Sequence, residues 1–322
     1  MEITVVGHCC FDVIHLPGDD GSRPDDRREQ PGGIMYSVIA LANLLGPSDT
    51  VHPVFGVGTE EYDTVIGRLS RYANVDTGGI FKVAEPTNTV HLYYQKAGNR
   101  IECSRDIQKP IPFTRIKSFL NVDGVFINMV SGFDISLETL DEIRMETRER
   151  GTPIHFDFHS LTLGIDAKFE RFRRPVTDWR RWCFMVSSIQ MNEEEAAGLT
   201  SERFNEDTLV NHLMPLMVNS LLITRGGNGV TLIRRDHKRL IRHDIPGRRV
   251  GTVDDPTGCG DVFGAAFLKY SLSSGDPLRA AEEANAVAAF HATQKGPDGL
   301  DTMGEFLSSL SEPPPQPVRD QS

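Results

Sequence analysis

Residues 253–266 read Val253-Asp254-Asp255-Pro256-Thr257-Gly258-Cys259-Gly260-Asp261-Val262-Phe263-Gly264-Ala265-Ala266, a glycine-flanked turn that runs into an apolar helix of small residues with a carboxylate at the junction. Gly258 and Gly260 lack a Cβ, so the backbone there can take strained dihedrals and turn its N–H groups toward an anion. The helix that follows adds its free N-terminal amides and the positive end of its dipole. Asp261 stands where it can take a proton from an attacking hydroxyl while those amides absorb charge on a transferring phosphoryl group. The residue types therefore point to phosphoryl transfer. For a bare Gly-x-Gly-Asp, a plain acidic turn that only caps a helix is the commoner explanation, so the rest of the chain has to decide.

Outward from this junction, strand-like runs at Ile3–Gly7, Val125–Asn128, Ile154–Phe158, Phe184–Ser187 and Leu221–Thr224 alternate with helix-like stretches such as Ser136–Arg150 and Glu206–Met217. That order predicts an α/β fold with a mostly parallel sheet covered on both faces, whose ligands gather beyond the carboxyl ends of the strands. Pro31-Gly32-Gly33 precedes the apolar run Ile34–Leu45, and Gly46-Pro47 closes it, which predicts a helix. His8 to Gln30 is dense in charges and turn residues, and Asn88–Tyr94, Gly98-Asn99 and Arg100–Cys103 read as a hairpin.

The run Asp255-Pro256-Thr257-Gly258-Cys259-Gly260-Asp261 resembles the C-terminal signature of the PfkB (ribokinase-like) carbohydrate kinase family, Asp-x-Thr-Gly-x-Gly-Asp, in which the last residue is the catalytic base. Cys259 replaces the usual alanine and is small enough to leave the turn intact. Other segments follow in the family's order across nearly the whole chain: Ile3-Thr4-Val5-Val6-Gly7 with Asp12, the Gly32-Gly33 pair, Asn192-Glu193-Glu194-Glu195, Leu221 to Gly229, and Ala284-Asn285-Ala286 with Lys295-Gly296 after it. The resemblance implies a ribokinase-like three-layer αβα sandwich with a small β lid. It assigns residues 1–10, 34–86 and 110–311 to the core, 11–33 and 87–109 to the lid, and leaves 312–322 as a disordered tail.

The same resemblance implies a site. Asp261 is the base and Gly258, Cys259 and Gly260 supply the amides of an anion hole. Asp12, Gly32, Gly33 and Ser37 meet the acceptor; Asn192, Thr224, Gly226, Gly229 and Asn285 lie along ATP. Asn192 and Glu195 help hold Mg2+ through its waters, and Asp255 corresponds to a place where relatives bind a monovalent cation such as K+. Ser37 stands where many sugar kinases of the group carry asparagine, and Tyr36 places a bulky ring beside it, so the acceptor is open among a larger sugar, a nucleoside and a sugar acid. Arg105, after the hairpin, is a candidate for a carboxylate or phosphate on that acceptor; a solvated surface arginine is the commoner fate of such a residue.

Plainer readings accompany these assignments. Asn192 and Glu195 form a helix-capping pattern, and Gly226 and Gly229 suit an ordinary hairpin turn. Asn285 fits a helix surface. In His155-Phe156-Asp157-Phe158-His159, alternate side chains share a strand face but are too far apart along it to converge on one ion, so Asp157 and His159 are expected at the pocket end of a strand instead. Trp179 and Trp182 have i,i+3 spacing and read as packing anchors.

Composition narrows the classes. The chain has 322 residues, 39% of them hydrophobic, enough for a sizeable core. Its apolar runs are too short to span a bilayer and its first residues lack the layout of a signal peptide. Five cysteines without metal spacing suggest reduced thiols, so a cytoplasmic protein is expected. A formal charge of -11 argues against nucleic acid as a partner. No Gly-Lys dipeptide occurs, which excludes a P-loop, and Val5-Val6-Gly7-His8-Cys9-Cys10 fails the dinucleotide fingerprint. The expected partner is a small sugar-like molecule, with a homodimer formed through the lid. A nucleoside kinase of the same fold and a sensor that has lost the chemistry are the alternatives.

Overall fold

Near-continuous apolar strands such as Gly124-Val125-Phe126-Ile127-Asn128, buried along their whole length, form where both faces of a sheet are covered. In the computed structural model, which describes residues 1–15, 27–94, 100–184, 186–237, 239–248, 250–253 and 255–311, such strands build the centre of the molecule. The expected disordered tail, 312–322, and the Gly98-Asn99 turn lie outside the described residues.

The strands are β1 (Glu2–Val6), β2 (Cys9–His15), β3 (Arg27–Gly33), β4 (Thr50–Gly58), β5 (Ile80–Val83), β6 (Asn88–Tyr94), β7 (Arg100–Arg105), β8 (Gly124–Asn128), β9 (Ile154–Asp157), β10 (Leu163–Ile165), β11 (Arg171–Arg173), β12 (Ser188–Asn192), β13 (Ser220–Thr224), β14 (Gly229–Asp236) and β15 (Arg239–Pro246). The main sheet has the order β15-β14-β13-β12-β9-β8-β1-β4-β5. Pairing is parallel from β13 to β5, and β14 and β15 extend it antiparallel at one edge. The helices Ile34–Leu44, Cys259–Ser274 and Pro277–His291 pack together beside this sheet. Phe126, Phe156 and Phe267 are fully buried in its core, each worth about 1.5–3 kcal/mol of burial. This is the α/β architecture that the alternating pattern predicts.

One expected strand is displaced. The apolar residues Phe184 and Val186 drew the reading to Phe184–Ser187, but the strand is Ser188–Asn192. Ser188 and Gln190 interrupt its apolar signature because both side chains are occupied inside the protein, Ser188 near His155 and Gln190 at the helix start described below. The residues just before it form the short helix Trp179–Cys183, which buries Trp179 and Trp182 in the core.

A second sheet, β3-β2-β6-β7, is built from the two segments that break the parallel pattern. β2 pairs antiparallel with β3, placing Cys10 opposite Gly32 and Asp12 opposite Gln30, and parallel with β6. The β10–β11 hairpin is tied to β7 through a bridge between Cys103 and Glu170 and a bond from the Ser104 N–H to the Phe169 carbonyl at 2.9 Å. No helix of the described residues is long and apolar enough to cross a membrane.

Candidate active site

The carboxyl ends of β9, β12 and β13, the start of the helix Cys259–Ser274 and the inner face of the small sheet enclose a cleft of ≈ 870 Å³. Among the residues that line it are Cys10, Asp12, Gly33, Tyr36, Asn192, Glu195, Thr224, Gly226, Gly258, Gly260 and Asp261. The structure thus brings most of the sequence-derived candidates to one space.

Gly258 shapes the helix entrance. Its φ of 82° lies in the left-handed region, and a Cβ there would sit 2.4 Å from the Tyr36 ring. Glycine alone allows both the turn and this approach, which sets Gly258, Gly260 and Asp261 at the cleft while the Cys259 N–H donates to the Pro256 carbonyl at 3.2 Å. Gly33 does similar work at the other wall: at φ 59° it ends β3 and starts the helix Ile34–Leu44, with no room for a side chain against Val130.

Asp261 occupies the first turn of the helix Cys259–Ser274 and is 4% exposed. Asn128, the last residue of β8, donates Nδ2 to its carboxylate at 2.6 Å and also reaches the Ser37 hydroxyl at 3.1 Å. Ser37 Oγ donates to the Asp261 carbonyl at 3.3 Å. Gln190 on β12 donates Nε2 to the Gly260 carbonyl at 2.9 Å and to Asp157 Oδ2 at 3.1 Å. The sheet ends thereby clamp both the carboxylate and the turn that carries it. Burial holds the Asp261 carboxyl above its ordinary range, while the positive field of His159 and the Asn128 hydrogen bond pull it back down.

His159 lines the same cleft just beyond β9, at φ 33°, with Nδ1 2.8 Å from the Ser160 hydroxyl. Burial alone would lower its affinity for a proton, but Asp261, Asp157 and Glu195 outweigh burial and hold the imidazole above its usual value. Burial raises Asp157 and Glu195 as well, so the four groups share one dry, charged neighbourhood.

Asn192 and Glu195 form a reciprocal capping box at the helix Glu193–Gly198: Glu195 N–H donates to Asn192 Oδ1 at 2.8 Å and the Asn192 N–H donates to Glu195 Oε2 at 2.8 Å. The plain capping reading is therefore realised, on side chains that also face the cleft. Among the described residues no group of three His, Cys, Asp or Glu side chains is arranged to hold a metal directly. The oxygen donors Asn192, Glu195 and Asp157 at the cleft wall nevertheless suit Mg2+, a hard ion that keeps much of its water shell and takes its other ligands from substrate phosphates. Asp255 accepts from the Thr257 N–H at 2.9 Å, and its own N–H donates to Ala292.

Several candidates stand elsewhere. Ser37 is fully buried and does not line the cleft; it supports Asn128 and the Asp261 backbone. Arg105 is exposed, outside the cleft, with its guanidinium 5.3 Å from the Phe169 ring centroid. Gly32, Gly229, Cys259 and Asn285 also lie outside the lining; Asn285 donates to the Pro246 carbonyl at 2.8 Å, and the Thr224–Val230 register makes the glycine loop the turn of a β13–β14 hairpin.

Sequence reading missed Asn128, Gln190 and Arg171. A polar residue ending or interrupting an otherwise apolar central strand is the signal for the first two, since such positions face the ligand edge of the sheet. Arg171, on the short β11, offered no such pattern. Asp134 was missed too: it accepts from the N–H groups of His8 at 2.6 Å, Ser131 at 3.0 Å and Gly132 at 2.9 Å, and so fixes the loop that carries Val130 into the cleft.

Comparison with known proteins places this geometry. The family description "pfkB family carbohydrate kinase" matches residues 165–303. The chain is 25% identical to ribokinase of Bacillus subtilis over 323 residues, covering 96% of this chain and 99% of that protein. It is 23% identical to the ATP-dependent ribose-1-phosphate kinase of Halopiger xanaduensis over 97% of this chain and 99% of that protein. A 28% identical match to ribokinase of Dictyostelium discoideum spans 34% of this chain and 39% of that protein. Among solved structures, Thermotoga maritima ribokinase superposes with a TM-score of 0.71 at 19% identity over 96% of this chain and 99% of that one. A pyrophosphate-dependent kinase of the ribokinase family gives 0.74 at 16% identity, over 93% and 99%. These likenesses give the ribokinase-like fold.

Proposed function

We propose that this chain, which over residues 165–303 matches the pfkB family carbohydrate kinases and along nearly its whole length is similar to ribokinase and a ribose-1-phosphate kinase, moves the γ-phosphate of ATP to a hydroxyl of a sugar or sugar-like acceptor, with Asp261 as base. The observation that carries this reading is the buried Asp261 carboxylate, held at 2.6 Å by Asn128 beside the glycine-bounded helix start in a cleft large enough for both substrates. The acceptor hydroxyl loses its proton to Asp261 as its oxygen attacks the γ-phosphorus and the bond to the ADP oxygen breaks. Amides of residues 258–261 and the helix dipole stabilise the charge that spreads over the phosphoryl oxygens.

Asp12 and the backbone at Gly32 and Gly33 orient the acceptor, and Thr224, Gly226, Gly229 and Asn285 border the nucleotide. Asn192, Glu195 and Asp157 would hold Mg2+ through its waters, and that ion would supply positive charge to offset the phosphates. A K+ near Asp255 is part of the proposal. We assign residues 11–33 and 87–109 to a lid that excludes water, the competing acceptor, from the core 1–10, 34–86 and 110–311. Leu92 lines the cleft, so the alternation of β6 turns the exposed Tyr93 to the lid's outer face, where two subunits would pair.

The test is ADP release with Mg2+ and K+ across sugars, sugar acids, sugar phosphates and nucleosides, with Asp261→Asn beside the wild type. Acceptor-dependent release that vanishes in the variant, with ATP binding retained, is the expected result. Undiminished turnover in Asp261→Asn removes the base from the scheme.

A further inference from the structure

We infer that Arg171 is a specificity residue of the acceptor site, placed to bind an anionic substituent, phosphate or carboxylate, on the molecule that is phosphorylated. The inference deepens the kinase reading above and rests on it for the identity of the site.

Arg171 lies on β11 and lines the cleft. Its side chain is only 3% exposed. Nε donates to the Ser104 hydroxyl at 2.8 Å and Nη2 to the Ser131 carbonyl at 2.8 Å. Nη1 is buried with no hydrogen-bond partner. Glu102 is 3.8 Å from Nε, outside hydrogen-bond distance, so it offsets part of the charge without satisfying Nη1. Leaving a charged donor unmade in the interior is expensive, and at the wall of a cleft a bound anion would complete it.

The position marks the acceptor end. Ser104 belongs to β7 of the small sheet, and Ser131 follows Val130, which lines the cleft and packs against Gly33. The strand period places Arg173 on the same face as Arg171, and Arg173 also lines the cleft. Arg173 is already engaged, with Nη1 on Thr162 at 2.9 Å and Nη2 on Glu194 at 2.7 Å. Arg171 is therefore the one of the pair with a donor to offer. With two nitrogens tethered, its guanidinium is preorganised, and a planar fork of this kind suits carboxylate and phosphate oxygens better than a single hydroxyl. Arg105, the arginine that the sequence suggested for this task, stacks on Phe169 outside the cleft.

The experiment compares wild type, Arg171→Gln and Arg171→Lys. Direct binding of ribose 1-phosphate, ribose 5-phosphate, gluconate, ribose and glucose is measured by calorimetry without nucleotide, and kcat and KM follow for each acceptor that turns over. The expected result is a wild-type preference for a sugar phosphate or a sugar acid over its neutral parent. In Arg171→Gln that preference falls about 10- to 100-fold through KM, while ATP KM and affinity for neutral sugars stay within about twofold. Arg171→Lys keeps the charge and loses the fork, so it falls between the two. Thermal melts confirm folding, and Arg171→Lys carries the comparison where Arg171→Gln does not fold. The phosphate and carboxylate arms separate the two sources of the anion. An unchanged anion-to-neutral ratio in the variants, or a wild type that prefers neutral sugars, overturns the inference. If no acceptor releases ADP, the kinase reading fails while the calorimetry still decides whether Arg171 binds anions.

Discussion

Replacing Gly258 with alanine tests the link between the turn and the chemistry. Two penalties can be worked from the structure. At φ 82° an L-residue enters the left-handed region, which costs roughly 1–2 kcal/mol. The new Cβ would stand 2.4 Å from a ring carbon of Tyr36, a buried side chain, and overpacking of that kind costs about 1–3 kcal/mol. Together they predict a loss of about 2–5 kcal/mol against a typical total of about 5–15 kcal/mol. Urea denaturation followed by the fluorescence of the buried Trp179 and Trp182 measures it. Under conditions where the variant stays folded, displacement of the turn that carries Gly260 and Asp261 lowers kcat, by about 100-fold for a shift near 1 Å. A cycle with Tyr36→Ala separates the penalties, because removing the ring relieves the clash and leaves the backbone strain. The coupling should be favourable by about 1–3 kcal/mol. A Gly258→Ala protein within about 0.5 kcal/mol of wild type, or a strictly additive cycle, refutes the reasoning.

Two further outcomes follow from the polar groups around Asp261. Asn128→Ala removes the donor that draws the Asp261 carboxyl down, so the acid limb of the kcat/KM profile moves to higher pH and the rate near neutrality falls about 10- to 100-fold; an unmoved limb in the folded variant contradicts it. His159 is held above its ordinary value in the fold, so its contribution to stability is complete below about pH 6.5 and is lost as pH rises through the higher folded value. Wild type should therefore lose stability relative to His159→Gln across that window, and parallel stability curves for the two proteins would show that the charge contributes nothing.

How much of this was legible beforehand depends on the range of the interaction. Alternating apolar runs and glycine stops are local signals, and they carried the parallel sheet and the helix at Ile34–Leu44. The strand that failed, Ser188–Asn192, did so because Gln190 is polar for a reason that lies 70 residues away, at the Gly260 carbonyl. Ser37 shows the same limit. Its position after Gly33 suggested an acceptor contact, yet packing places its hydroxyl behind the site, against Asn128 and Asp261. Arg105 and Arg171 sit on paired elements, and only the tertiary arrangement of β7 and β11 decides which guanidinium enters the cleft. Motif spacing placed the turn that carries Asp261, whereas the groups that hold its carboxylate and that turn come from strands far apart in sequence.

The balance of charge in the cleft constrains what can hold a phosphate chain there. Its lining includes the carboxyl groups of Asp12, Glu102, Asp157, Glu170, Glu193, Glu194, Glu195 and Asp261, against Arg171, Arg173 and Arg225. Arg225 is engaged by Glu193 and by Glu206 at 2.6 Å, and Arg173 by Glu194, so these side chains offer little net positive charge. One uncompensated like-charge contact at 4 Å is worth about 4 kcal/mol at an effective dielectric near 20, more than a single neutral hydrogen bond returns. On the proposed reading, a triphosphate would be held by groups that carry no formal charge, the amides at the start of the helix Cys259–Ser274, and by a cation that enters with the nucleotide. On that proposal the glycines at 258 and 260 stand in place of a basic pocket, which would let a chain of net charge -11 present a phosphate site.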